Sequence, residues 1–432
     1  MTDTAVTRTT CAIVGGGPAG MMLALLLARG DVDVTVLEKH GDFLRDFRGD
    51  TVHASTLTLL DQLGLGDEFA RLPHRLITSL TLPVGTDDSV AMDFGLLPGA
   101  HKHIAMVPQW DFLGMLLESA EREPTFRISM KTAATVLITN GDKVVGVRHR
   151  DERNNTGELY ADLVVCCDGR DSVLRADSGL PMKSWPTPMD IEWFRLSRRP
   201  TDRKGLGMVI GGGGMLVYID RGDYFQLALP IRKGTDGQWR AGGIEAMRRT
   251  VAEIAPWLAD RVEELRSVDD VKVLGVQLNR LRRWYRDGLL CIGDAAHAMS
   301  PVGGVGINLA VQDAVAAARL LAGPLRTGSV RPRTLRRIQR RRIPSTLVTQ
   351  TVQRLMHRFT IAPALRETNA ASAHTEPNRL RVLLKRHPRL LILPACLFAI
   401  GFRPESAPAF ARRPAAGPAR AADSARAGGA GP

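Results

Sequence analysis

Three things are scarce in this chain: cysteines, aromatic residues and long apolar runs. The five cysteines (Cys11, Cys166, Cys167, Cys291, Cys396) lack CxxC spacing and stand in apolar stretches. This excludes a disulfide framework and a cysteine metal centre, and fits reduced, buried thiols in a cytoplasmic protein. No HExxH or GxSxG segment occurs, so the common zinc-protease and serine-hydrolase signatures are missing and no metal site is expected. The longest apolar run, Leu390 to Phe402, has 13 residues and is broken by Pro394. A membrane helix needs about 20, so no integral membrane association is expected. Met1 to Thr10 is polar, and no secretory signal is read there.

Acidic residues nearly disappear from the last quarter. Residues 331–432 hold 20 basic and 4 acidic side chains, whereas residues 1–330 hold 38 and 41. The overall charge of +13 therefore belongs to the C-terminal part. Its arginines carry no interleaved aromatics and fit no recognised module, so nucleic acid is not an expected partner.

The informative residues begin at the N-terminus. Cys11 to Val14 is a short apolar run, followed by Gly15-Gly16-Gly17-Pro18-Ala19-Gly20, helix formers from Met21 to Arg29, and a second apolar run, Val32 to Leu37, closed by Glu38. In this strand–turn–helix–strand unit each glycine of GxGxxG has a mechanical task. Gly15 makes the tight turn, Gly17 admits a pyrophosphate to the backbone, and Gly20 lets helix and strand pack closely. The helix N-terminus offers free N–H groups to phosphate. Glu38, 18 residues after Gly20, is placed to accept bonds from ribose hydroxyls. Its charge disfavours a 2′-phosphate at this site. The fingerprint identifies a dinucleotide site and leaves FAD and NAD open.

Two further apolar strands end in acidic or glycine-rich turns. Leu163 to Cys167 runs into DGRDSVLR (168–175). Leu289 to Ile292 runs into GDAAHAMSPVGGVGINLA (293–310), which opens a helix expected over 306–321. Together with GGGPAG (15–20), these motifs closely resemble the FAD-dependent aromatic hydroxylases, the para-hydroxybenzoate hydroxylase-like (group A) flavoprotein monooxygenases, over roughly residues 10–405.

That resemblance implies that Gly15, Gly17, Gly20 and Glu38 hold the ADP half of FAD, with Pro18, Ala19 and Lys39 also cofactor-binding. Asp294 bonds the ribityl chain, with Gly293 beside it also cofactor-binding, and Pro301 to Asn308, including Gly304, Gly306 and Ile307, lie along the flavin ring. Arg48 and Gln109 look like further FAD contacts. Asp168 and Arg175 look like the motif that serves both FAD and the nicotinamide cofactor. No side chain is assigned to catalysis, because the implied chemistry is the flavin's own. The backbone of Pro301, Gly304 and Gly306 is expected beside the ring. His297 is read as a structural hydrogen-bonding residue of its turn. The implied reaction uses NADH or NADPH and O2 to insert one oxygen into a small aromatic or polyketide-like molecule through a flavin C4a-hydroperoxide. Epoxidation, Baeyer–Villiger oxidation and non-redox cyclisation are the alternatives on the same scaffold. A monomer or homodimer is expected.

The expected fold is α/β: a Rossmann-like FAD-binding βαβ domain with an inserted antiparallel substrate sheet and C-terminal helices. Residues 1–180 form the first part of the FAD domain, with strands near 75–108 joining the sheet, and 276–330 form the second part. Residues 181–275 are the insert, rich in β-branched and aromatic residues and punctuated by glycine and aspartate. Trp193, Arg195, Tyr218, Tyr224 and Gln226 are its pocket candidates by residue type. Gly211 to Gly214 lacks the third glycine of a fingerprint and reads as a hairpin. Residues 331–405 read as helices, with Pro344 opening a new one. Residues 406–432, of which 19 are Ala, Pro or Gly, read as a disordered tail.

Overall fold

The computed structural model describes residues 5–44, 50–83, 89–212, 214–365 and 391–414. At its centre the strand Ala5–Val14 pairs in parallel with Val34–Leu37 on one side and Thr156–Cys166 on the other. Leu289–Cys291 continues the parallel set beyond Thr156–Cys166. The register puts Val14 opposite both Leu37 and Cys166, and Cys166 opposite Cys291. Each strand therefore leaves the sheet at the same edge, and Gly15, Glu38, Asp168 and Gly293 are gathered there by pairing alone. Open parallel sheets bind ligands at this edge.

Pro18–Ala28 is the first helix, with Gly17 at its N-cap and proline in its first turn. Ala19 to Ala28 are all buried. A helix that is apolar all round needs cover on every side, and Gln109–Glu121 and Gly306–Arg326 provide it beside the sheet. Gly20 sits where an added Cβ would overlap the Gly15 carbonyl oxygen, which is the close packing that the third glycine permits.

The second sheet has seven strands in the order Lys272–Leu274, Met189–Ser197, Tyr224–Arg232, Gly214–Asp220, Leu206–Gly211, Ser79–Pro83 and Ser89–Asp93. Strands from residues 79–93 thus join those of the 189–274 segment. Arg75–Ile77 and Ile104–Met106 instead form a separate small sheet with Thr51–Val52. The Gly211–Gly214 turn is a hairpin end. Among the described residues no helix is long and apolar enough to cross a membrane.

The C-terminal region corrects three expectations. The helix opened by Gly306 runs to Arg326, past Leu321, with Pro324 inside it. Pro344 does not begin a new helix; it lies within one continuous helix, Pro332–Met356. Proline removes one amide bond there, and tertiary packing compensates by burying Arg342, Ser345, Thr346, Gln350 and Gln353 on one face. The apolar residues Leu347, Val352 and Leu355 are exposed, so the buried face of this helical half is polar. Residues 366–390, which include part of the expected second hairpin, lie outside the described residues; Ile392–Ala399 is a helix.

Thirdly, the segment from 406 is packed at its start. Ala407 and Ala411 are buried in the main core, Phe410 packs against it, and Gly30 leaves room for the Phe410 ring. Arg29 Nη1 donates to the carbonyls of Leu63 (2.7 Å) and Ala411 (3.2 Å), tying this segment to the first helix. Composition hid these anchors because alanine at a close contact looks like alanine in a tail. Residues 415–432 lie outside the described residues. Ala411→Asp, which buries an unpaired carboxylate, is expected to lower unfolding free energy by about 3 kcal/mol. Denaturant unfolding checks this, with Arg412→Asp on the neighbouring exposed position expected to stay within about 0.5 kcal/mol.

Candidate functional site

A cavity of about 670 Å³ lies between the edge of the parallel sheet and one face of the seven-stranded sheet. Gly15, Gly17, Pro18, Ala19, Glu38, Lys39, Gln109, Asp168, Asp294, Pro301, Gly304, Gly306 and Ile307 all line it. The inner sheet face follows strand alternation: Met189, Ile191 and Trp193; Met215, Val217 and Ile219; Gln226, Ala228 and Pro230.

Several expected residues stand elsewhere. Gly20 and Gly293 are packing positions, and Gly293 adopts φ +59° in a turn pressed against Ala19 and Ala310. Asn308 is buried and accepts hydrogen bonds from Ser55 and Thr56, which makes it a strut between two helices. Arg175 does not line the cavity; its guanidinium donates to the carbonyls of Ala295 (3.2 Å) and Arg170. Arg170 takes the wall position instead and pairs with Asp294 at 3.2 Å. Arg48 lies outside the described residues.

Of the sheet candidates, Trp193 and Gln226 reach the cavity wall. Tyr218 points to the opposite face, edge-on to Phe225 and Trp257. Arg195 stacks over the Tyr224 ring at 5.0 Å, away from the cavity. Residue type suggested all five, but parity along each strand and distance from the strand end decide which are lining residues.

Sequence reasoning named Gln226 but missed the other two members of the polar corner of the cavity, Asp50 and Arg221. Arg221, in the hairpin between two sheet strands, donates from Nε to Gln226 Oε1 (3.0 Å) and from Nη2 to both Gln226 and Asp50. All three residues line the cavity, and the cluster joins the sheet to the cofactor-side segment before Thr51. Burial pushes the Asp50 carboxyl up to about 6, although Arg221, the Gln109 amide and Gln226 oppose the shift. The available signal was the acid in FRGD (47–50) and the basic residue in DRGD (220–223), neither of which identifies its partner.

The 300–306 segment is gripped from two sides. Gln353 Oε1 accepts from the Ser300 amide (3.1 Å), and its Nε2 donates to the carbonyls of Ser300 (2.8 Å) and Val302 (2.9 Å). His357, in a π-turn after the long helix, meets Ser300 Oγ at 2.8 Å. On the other side, buried His53 spans the carbonyls of Gly304 (3.1 Å) and Phe398 (2.7 Å). Burial lowers its pKa against the pull of those carbonyls. His297 is buried, with Nε2 at 2.6 Å from Asp313 and its ring against Trp284, so it does not face the cavity.

The site fits a dinucleotide cofactor on its own geometry. Asp168 Oδ1 is buried at the wall with no partner, and burial raises the pKa of its carboxyl despite Ser172 and nearby amides. Open space lies where a Cβ would project from Gly17 and from Gly306, at the starts of two helices. Glu38 is buried and accepts from the amides of Gly16 (2.7 Å) and His40 (2.9 Å), which fixes its carboxylate at the end of its strand.

Comparison with known proteins agrees with this geometry. Residues 8–354 match the family described as FAD binding domain. The 6-methylpretetramide 4-monooxygenase of Streptomyces rimosus is 33% identical over 384 residues, covering 88% of this chain and 90% of that protein. The rifampicin monooxygenase of Streptomyces venezuelae is 28% identical over 335 residues, covering 70% of this chain and 61% of its own longer chain. The crystal structure of p-nitrophenol 4-monooxygenase PnpA from Pseudomonas putida superposes with a TM-score of 0.74 at 18% identity, covering 93% of this chain and all of that one, and shows the shared fold.

Gln353→Ala removes three hydrogen bonds from the Ser300–Val302 backbone. At about 1 kcal/mol net each, partly replaced by water, FAD affinity is expected to fall about ten-fold. Fluorescence titration of the apoprotein with FAD measures it, and an unchanged dissociation constant would contradict the role given to Gln353.

Proposed function

This chain belongs to the FAD binding domain family and is a flavin-dependent monooxygenase, and from that premise we propose that its substrate is a polycyclic phenol of the aromatic polyketide class. The observation that carries this reading is the composition of the cavity. An extended apolar wall from the seven-stranded sheet ends in a polar corner, Asp50–Arg221–Gln226, with the Pro301–Gly306 backbone also bordering the same space. Such a wall suits a flat, multi-ring molecule, and the corner suits one oxygen-bearing end. A relative at 33% identity is named for oxygenation of 6-methylpretetramide, which supports the same class.

FAD would be held by Gly15, Gly17, Glu38, Lys39, Asp168 and Asp294, with Gln109 and the Gly306 helix start contributing from the other walls. Bound FAD, reduced by NADH or NADPH, supplies the activation of O2 from which one oxygen atom reaches the substrate. The protein's own part is orientation, water exclusion and proton handling. Ile191, Trp193, Val217 and Ala228 present the apolar wall. Asp50 accepts the phenolic proton, and Arg221, steadied by Gln226, faces the resulting oxyanion. An ionised phenol is richer in electrons and a better oxygen acceptor.

The test is substrate-stimulated NADPH oxidation by the FAD-loaded protein across hydroxylated anthraquinones, naphthacenes and single-ring phenols. Stimulation by the polycyclic members with a hydroxylated product is expected. Failure of every polycyclic member, or preference for single-ring phenols, would overturn the reading.

Proton handling sets a pH dependence with a defined sign. The Asp50 carboxyl titrates near 6 rather than at its ordinary value, so it gains a proton, and loses its base function, as pH falls through about 6. The kcat/KM for substrate is expected to fall on the acid side with a midpoint near 6. Asp50→Asn is expected to lower turnover about 100-fold and to abolish that acid limb. A pH–rate profile of both proteins decides the matter.

A further inference from the structure

The chain has one dinucleotide fingerprint, which the flavin site uses, and the GGGG segment near 211 is a hairpin. The phosphate-bearing end of the reductant therefore needs a docking surface that neither this fingerprint nor the 168–175 motif supplies. One cluster outside the cavity has an unexplained cost. Lys183 and Arg280 are direct partners in the two-stranded antiparallel sheet formed by Met182–Trp185 and Leu278–Leu281. Like charges facing each other across an antiparallel pair are destabilising. Arg354, exposed on the helix Pro332–Met356, adds a third positive charge.

All three cations converge on one indole. Lys183 Nζ and the guanidinium carbons of Arg280 and Arg354 lie 5.2, 5.1 and 5.4 Å from the Trp185 ring centre. No carboxylate among the described residues pairs with any of them. The only polar side-chain partner of Arg280 there is neutral Gln350, at 2.9 Å. Burial and the Arg354 charge together lower the Arg280 pKa, with no acid opposing them. A ring face relieves part of this repulsion through cation–π attraction. An anion bound among the three would relieve far more.

The cluster also stands next to the cavity. Gln350 donates to the Asn279 carbonyl (2.7 Å), and Asn279 accepts the Ala298 amide (3.1 Å). Arg354 follows Gln353, which lines the cavity and holds the Ser300–Val302 backbone. Just before the strand Leu278–Leu281, Gln277 reaches Asp171 at the cavity wall.

We propose that Lys183, Arg280 and Arg354, grouped around Trp185, bind the 2′-phosphate of a reduced nicotinamide dinucleotide, with the indole as the surface for its adenine. Three cations match a phosphate monoester, which carries about −1.5 to −2 charge near neutral pH, better than the singly charged links of a diphosphate. Guanidinium forks suit phosphate oxygens, and an indole face suits a flat base. The proposal rests on the monooxygenase reading, which is what requires a soluble electron donor, and it makes NADPH rather than NADH that donor.

The test is calorimetric titration of the FAD-loaded protein with 2′,5′-ADP, 5′-ADP and inorganic phosphate at one ionic strength. Binding of 2′,5′-ADP about ten-fold tighter than either of the others is expected. Arg280→Gln and Arg354→Gln are each expected to weaken 2′,5′-ADP binding about ten-fold, with FAD content retained and the KM for NADPH raised to match. Arg354 is exposed, so its variant remains informative if Arg280→Gln fails to fold. Equal binding of 2′,5′-ADP and 5′-ADP, inorganic phosphate binding as tightly, or variants that bind like the parent would each overturn the site. NADPH oxidation with an unchanged KM in the variants would sink the site and leave the monooxygenase reading standing. Tight 2′,5′-ADP binding without NADPH oxidation on any substrate would do the reverse.

Discussion

Asp313 is the carboxylate on which the cofactor side of this protein depends. It has no exposure, yet its Oδ2 accepts from His297 (2.6 Å) and from the Gly293 amide (3.2 Å), while Oδ1 accepts from Arg342 (2.9 Å). Burial works to raise its pKa, but His297 and Arg342 outweigh burial and hold it below the ordinary carboxylate range. The stability it contributes is therefore present at neutral pH and lost only as pH falls through that lowered value. Removing one member of such a buried pair costs about 3–5 kcal/mol, because the other is left unpaired. Three pieces of chain meet at this point: the turn that presents Asp294, the helix beginning at Gly306, and the basic helix Pro332–Met356. Arg342 also donates to the Arg403 carbonyl at 3.3 Å, and Arg341 makes a two-point contact with Glu405. The C-terminal segment is in this way part of the cofactor scaffold.

This arrangement gives the basic C-terminal quarter a physical account. Arg342 is a buried strut, Arg341 anchors Glu405, and Arg354 belongs to the cationic group around Trp185. The polar residues on the same helix, Gln350 and Gln353, point inward because their partners are backbone groups of the loops they hold. A helical half whose buried face is polar, as from Arg342 onward, contradicts the usual inside-apolar pattern. Here the inside is a loop with unpaired amides and carbonyls, which only hydrogen-bonding side chains can satisfy.

The sequence made the parallel core and the cofactor turns legible, because those features depend on local chemistry. A glycine at Gly15, Gly17 and Gly20 and a carboxylate at the end of a strand have meaning within one βαβ unit. The strands of the insert were equally readable from β-branched and aromatic content. Long-range pairing was not. Asp50 and Arg221 are 171 positions apart in the chain, and neither carries a mark that names the other. Arg170 rather than Arg175 faces the cavity because Arg175, on the short helix Val173–Asp177, donates from its guanidinium to the carbonyls of Ala295 and Arg170. Tyr218 and Tyr224 have the right chemistry for a pocket and the wrong parity or position. Ala407 and Ala411 have the composition of a tail and the burial of a core.

As proposed above, the protein transfers one atom of molecular oxygen to a polycyclic phenol held between the apolar sheet and the Asp50–Arg221–Gln226 corner. Mass spectrometry of the product formed under ¹⁸O2 in ordinary water tests it most directly. The product is expected to carry one ¹⁸O atom. An unlabelled product, with oxygen drawn from water or with no oxygen added, would contradict it.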